Sequence, residues 1–137
     1  MPRSTIANRR AILFDKSLEL RDFAATAISA STTESAIAYP VTKLKAYKCV
    51  VDVAAHTGYV ATTAQWDITI EACATSGGTY KTVKTFTVIG VANRFDVPLS
   101  GEWVDDIVTD AAFVRVKATK TGAPGNLTYG AFLAPCS

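Results

Sequence analysis

Gln65-Trp66-Asp67-Ile68-Thr69-Ile70-Glu71-Ala72 sets Trp66, Ile68, Ile70 and Ala72 at every second position. Successive side chains of a strand point to opposite faces, so this stretch reads as a strand with one oily face and one wet face. The pattern repeats outward from it. Residues 46–53 place Tyr47, Cys49, Val51 and Val53 on one face, and residues 94–99 place Phe95, Val97 and Leu99 inward. Residues 113–119 set Val114, Val116 and Ala118 against Arg115 and Lys117, and residues 127–133 close the series. Gly, Pro, Asn and Asp separate these segments. Seven or eight short strands with few helices predict an all-β fold, a two-sheet antiparallel sandwich or jelly roll.

The connections carry their own signals. Ser76-Gly77-Gly78-Thr79 predicts a hairpin turn with positive φ at both glycines. Val83 differs in parity from Phe86 and Val88, which predicts a bulge or two-sided burial in residues 80–88. Pro98 belongs on a sheet edge. Ser31-Thr32-Thr33-Glu34 has the form of a capping box, but too little follows it for a helix, so a turn and a short strand ending at Pro40 are expected. Residues 54–64 and 101–110 read as loops, the second acidic.

The chain has 137 residues, of which 49% are hydrophobic and 19% charged, with a formal net charge of +2. Its mean hydropathy is +0.20. One domain is the natural count. The near-neutral balance argues against non-specific nucleic-acid binding. No stretch approaches the ~20 consecutive apolar residues of a membrane helix, and the first residues show no apolar core of a signal peptide. Three cysteines, Cys49, Cys73 and Cys136, fit neither a disulfide scaffold nor a zinc site. Parity turns Cys49 inward and Cys73 away from the core. Free thiols point to folding in a reducing cytoplasm.

Residues 1–22 read as an extended N-terminal arm and residues 23–137 as the β-sandwich. The arm is basic at Arg3, Arg9 and Arg10 and carries an apolar patch, Ile12-Leu13-Phe14, that asks for a partner surface. Deleting residues 2–14 is expected to leave the domain folded while weakening its hold on neighbours.

Chemical apparatus is sparse. His56 is the single histidine, expected to be an exposed loop residue, and His56→Ala is expected to leave function intact. Ser76-Gly77-Gly78-Thr79 lacks the Lys and the following helix of a phosphate loop. Glu102, Asp105, Asp106 and Asp110 surround Trp103. Clustered carboxylates bind Ca²⁺ or run glycoside hydrolysis in other settings, but no known loop spacing is matched. A solvated loop with Trp103 packed on the sandwich edge is the favoured reading, and Trp103 with Asp105 as an interface anchor is the third. Tyr59, Trp66, Tyr80 and Trp103 are candidates for a carbohydrate platform, although parity puts Trp66 in the core. No enzyme activity and no cofactor are expected.

The order of segments carries a resemblance. A basic arm precedes Leu18-Glu19-Leu20-Arg21-Asp22-Phe23-Ala24-Ala25-Thr26-Ala27-Ile28-Ser29-Ala30-Ser31-Thr32-Thr33. Trp66-Asp67-Ile68-Thr69-Ile70-Glu71-Ala72-Cys73-Ala74-Thr75-Ser76-Gly77-Gly78-Thr79-Tyr80 follows. The chain closes with Phe113-Val114-Arg115-Val116-Lys117-Ala118 and Leu127-Thr128-Tyr129-Gly130-Ala131-Phe132-Leu133. This resembles the jelly-roll cement, or decoration, proteins that tailed bacteriophages place on their capsid shells. The resemblance implies a structural virion protein on the outer capsid surface, folded in the host bacterial cytoplasm. It implies binding to the major capsid protein, linkage of neighbouring capsomers and a homo-oligomer, trimer or dimer. Direct nucleic-acid or membrane contact is not implied. The alternative is a carbohydrate-binding β-sandwich module of a phage fibre or secreted protein. A small enzyme using the acidic loop is the remaining reading.

Overall fold

The computed structural model describes residues 18–38 and 46–135. Its strands are β1 (Glu19–Arg21), β2 (Thr32–Thr33), β3 (Ile37–Ala38), β4 (Ala46–Val53), β5 (Gln65–Cys73), β6 (Lys81–Val88), β7 (Asn93–Ser100), β8 (Phe113–Thr121) and β9 (Tyr129–Pro135). A helix, α1 (Gly101–Ile107), follows β7. Sheet one has the order β1-β9-β4-β7. Sheet two has the order β2-β8-β5-β6, with β3 also on β8. All pairings are antiparallel. Within the described chain β2 and β3 share one partner, and β5–β6 is a hairpin within sheet two. Each remaining connection crosses from one sheet to the other, the wrapped order of a jelly roll.

The inward residues of both sheets fill the space between them. Cys49, Val51, Trp66, Ile68, Ile70, Leu99, Val116, Ala118, Tyr129 and Leu133 are all fully buried there. Trp66 satisfies its single polar atom by donating from Nε1 to the Gly125 carbonyl at 2.8 Å. Phe95 is half-buried and packs on Phe86 with ring centroids 4.4 Å apart. The register of β5 against β6 shifts between Ile70 and Glu71, opposite Lys84 and Thr82. The extra residue is Val83, and the bulge turns it into the core. Pro98 lies on edge strand β7, where its missing N–H costs no ladder bond.

Four expectations need correction. The outward face of β5 is not wet, because Thr69, Glu71 and Cys73 are buried. β5 is central in its sheet, and long neighbours close over it. Arg115 Nε donates to Glu71 Oε1 at 2.8 Å, Lys117 Nζ lies 3.3 Å from Oε2, and the Arg115 guanidinium stacks 3.7 Å from the Tyr80 ring centroid. Cys73 therefore points away from the core yet is covered.

The hairpin at residues 74–80 exists, but Gly77 and Gly78 do not adopt positive φ. Room is tight at Gly78 instead: a Cβ there would stand 2.5 Å from Thr75 Oγ1 and 2.7 Å from Cys73 Sγ, so those side chains would have to shift.

The acidic segment is a helix rather than a loop. Val104, Ile107 and Val108 fall at i, i+3 and i+4 and turn toward the core.

The boundary at residue 22 also moves. Glu19–Arg21 is an edge strand of sheet one, with Leu20 buried, so this part of the presumed arm belongs to the sandwich. Arg21 is buried because three acceptors surround it: the Tyr129 carbonyl at 3.1 Å, Glu34 Oε2 at 2.8 Å and the Thr26 carbonyl at 2.8 Å.

Candidate functional site

Four crossing connections meet at one end of the sandwich: residues 22–31, 54–64, 89–92 and 122–128. In these segments the ionisable side chains are Asp22, His56 and Tyr59 alone. Val60, Ile89 and Val91 are each more than half exposed, and Phe23 nearly so. This end of the sandwich thus combines four exposed apolar side chains with few ionisable groups.

The loops that carry this face lock one another. Gly125 N–H donates to the Thr57 carbonyl at 2.7 Å, and His56 N–H to the Gly90 carbonyl at 3.0 Å. Ile28 and Leu127 exchange two backbone bonds, at 2.9 and 3.0 Å. Gly90 sits between exposed Ile89 and Val91 at φ 86°, and a Cβ there would press on Tyr59 Cβ at 3.1 Å. Gly122, at φ 69°, lets its backbone lie against the Thr63 carbonyl, where a side chain would collide. Thr62 holds φ at 62°, an uncommon conformation for a β-branched residue, and its N–H donates to Gln65 Oε1 at 3.0 Å. Strain of order 1–3 kcal/mol persists only where surroundings over-determine it, as they do here. The face is therefore built before any partner arrives.

His56 is half-buried, a correction to its expected exposure. Both ring nitrogens are shielded and lack a hydrogen-bond partner among the described residues. Burial pushes its pKa below the ordinary value. The unfolded chain then takes up the proton first, so stability present above the ordinary histidine value is lost as pH falls through it toward the lower folded value. Urea midpoints are expected to fall between about pH 7 and pH 5, and to fall less in His56→Phe. Equal slopes in the two proteins would overturn this assignment.

Of the described residues singled out in the sequence, His56 and Tyr59 lie in the loop end, while Trp103 and Asp105 do not. Arg3, Arg9, Arg10, Ile12, Leu13 and Phe14 lie outside the described residues. Trp103 and Asp105 stand on α1, at the opposite end of the eight-residue strand β7, roughly 26 Å away at ~3.3 Å per residue. Trp103 is partly exposed and lines a hollow of about 300 Å³ with Lys84, Val97 and Pro98. Asp105 Oδ1 accepts from the Asp110 N–H at 2.9 Å, which closes the turn after the helix. Among the described residues no group of three or more His, Cys, Asp or Glu is placed to hold a metal.

The proposed aromatic platform is dispersed. Trp66 is in the core, Tyr80 lies under Arg115, Tyr59 sits in the loop end and Trp103 on α1. Cys49 is enclosed, and burial pushes its thiol up to about 12, with Asp96 adding to the shift. It is a core residue rather than a nucleophile.

The sequence signal for the loop end was available and subtle: four turn segments, remote from one another, nearly free of charge. Comparison with protein-family models and with curated proteins returned no match.

Proposed function

We propose that this chain is a non-enzymatic docking protein that works in assembly, as a capsid cement subunit. It seats its loop end on the outer face of a major-capsid-protein shell and stabilises that shell by linking neighbouring capsomers. The observation that carries the reading is the charge-poor apolar end, held rigid by four interlocked loops. Interface cores are depleted in charge, and a preorganised face loses little ordering entropy on binding. Many copies on one shell multiply a modest affinity through avidity, and a small homo-oligomer, trimer or dimer, adds to it. The resemblance to phage decoration proteins supports the choice of a capsid as partner.

The test is cosedimentation of the full chain with empty tailed-phage shells stripped of their decoration protein. The parent is expected to sediment with the shells. Val91→Asp, which puts a charge into the apolar face while leaving the core intact, is expected to weaken retention at least about tenfold, or ~1.4 kcal/mol. Absence of parent cosedimentation, or equal retention of the variant, would overturn the proposal.

A further inference from the structure

A hollow of about 450 Å³ flanks the loop end, lined by Phe23, Asp52, Val53, Ala92, Asn93 and Arg94. Its floor is a row across sheet one. Gly130 of β9 faces Asp52 of β4, and Asp52 faces Arg94 of β7. Val51 and Val53 point into the core, so by alternation this row points outward. Gly130 leaves a gap in the row that the backbone of Phe23 fills: a Cβ on Gly130 would stand 2.8 Å from Phe23 Cα. A tight turn fixes that backbone. Ala25 N–H donates to the Asp22 carbonyl at 3.0 Å, and Ala24 N–H to Asp22 Oδ1 at 2.9 Å. An exposed aromatic residue is thus carried on a fixed backbone at the rim of a mostly apolar hollow that a few polar groups, Asp52, Asn93 and Arg94, border.

The polar wall is equally fixed. Arg94 Nε donates to Asp52 Oδ1 at 2.6 Å and Nη2 to Oδ2 at 3.1 Å. This two-pronged pairing sets the plane of the guanidinium and leaves the pair without net charge. Each carboxylate oxygen keeps a further lone pair. Asn93 Oδ1 accepts from the Arg94 N–H at 2.8 Å, which leaves Asn93 Nδ2 as a donor on a residue that lines the hollow. Arg94 Nη1 and Asn93 Nδ2 make no hydrogen bond among the described residues.

The hollow therefore offers donors, acceptors and an aromatic residue together, with no net charge. An anion would meet the Asp52 carboxylate, and a cation the Arg94 guanidinium. A wholly apolar group would strand the free donors. The chemistry that satisfies all of these is a neutral ring with an apolar C–H face and adjacent hydroxyls at its edge. We infer that this hollow is a binding subsite for a neutral hexopyranose, packed on Phe23 and hydrogen-bonded by Asp52, Asn93 and Arg94. The subsite shares Phe23 with the loop end of the capsid reading, but the sugar titration uses the free chain and Val91→Asp lies outside the hollow, so the two readings are tested separately.

The test is a titration of the isotope-labelled full chain with glucose, galactose and mannose, each to about 50 mM, followed by amide and Arg94 Nε chemical shifts. At least one sugar is expected to give saturable shifts at Phe23, Asn93 and Arg94. Phe23→Ala and Asn93→Ala are each expected to weaken that binding at least about tenfold, with the Trp66 indole resonance unmoved as proof of an intact fold. Glucuronate is expected to bind more weakly than glucose. No shifts with any of the three sugars, shifts centred on Trp103 or Tyr59 instead, or undiminished binding by Phe23→Ala would each overturn the subsite. So would saturable binding of p-cresol with no response to sugars, which would assign the hollow to an aromatic side chain of a protein partner.

Discussion

Replacing Trp66 with alanine is expected to lower the stability of this protein by ~3–5 kcal/mol, measured from urea unfolding. The side chain is fully buried at the start of β5, among residues from both sheets. Its removal leaves a large cavity that a sandwich of hydrogen-bonded strands relaxes into poorly. The Gly125 carbonyl also loses its donor. Typical domains are stable by ~5–15 kcal/mol, so much of the margin goes with one residue. Trp66→Phe separates the two losses. It keeps most of the packing, forfeits the 2.8 Å hydrogen bond and is expected to cost markedly less than the alanine variant. An alanine variant that melts within a degree or two of the parent would show that Trp66 is not a core residue.

The second large effect is expected at Arg21. Arg21→Ala is expected to cost about 3 kcal/mol, the low end for breaking a buried pair, because water still reaches the Glu34 carboxylate. One guanidinium ties β1 to β9 through Tyr129, to the segment before β2 through Thr26 and to the segment after β2 through Glu34, and it lies 4.9 Å from the Tyr129 ring centroid. Lysine has one compact charged group and no planar fork, so Arg21→Lys is expected to recover little of the loss. Either variant within ~1 kcal/mol of the parent would mean that edge strand β1 is held by its ladder and Leu20 alone.

Much of the sandwich was legible because period-two patterning reports burial directly. Val51, Ile68, Val97 and Val116 each follow the rule, and of the two readings the parity break at Val83 leaves open, a bulge or two-sided burial, the structure has the bulge. The helix was hidden by its length. With seven residues, its inward positions Val104 and Ile107, and Val108 just after it, are too few to stand out from a loop rich in Asp. In sequence Arg21 reads as part of an arm, because Leu18 and Leu20 alternate with charged residues over too short a stretch to mark a strand. Only the meeting of β9 with the segment 22–34 supplies its acceptors. Cys73 and Glu71 were misplaced for a related reason: parity gives the direction of a side chain and says nothing of what lies over it.

The loop end was the least legible part. Each of its segments is an ordinary turn in sequence, and the hollow beside it joins Phe23, Asp52 and Arg94 through the pairing of separate strands.

The interlocking of the four loops ties the apolar loop end to completion of the fold. Its segments begin near residue 22 and end near residue 128, and each is braced by another far along the chain. A nascent or partly folded copy in which any of residues 22–128 is missing or unpaired lacks the braced surface, because each segment depends on another remote in sequence. Recognition of such a face by a partner is therefore also a test of the recruited copy's integrity. Damaged subunits would be left out of an assembly without any separate inspection, and the exposed apolar residues would become adhesive only after the rest of the molecule has withdrawn its own.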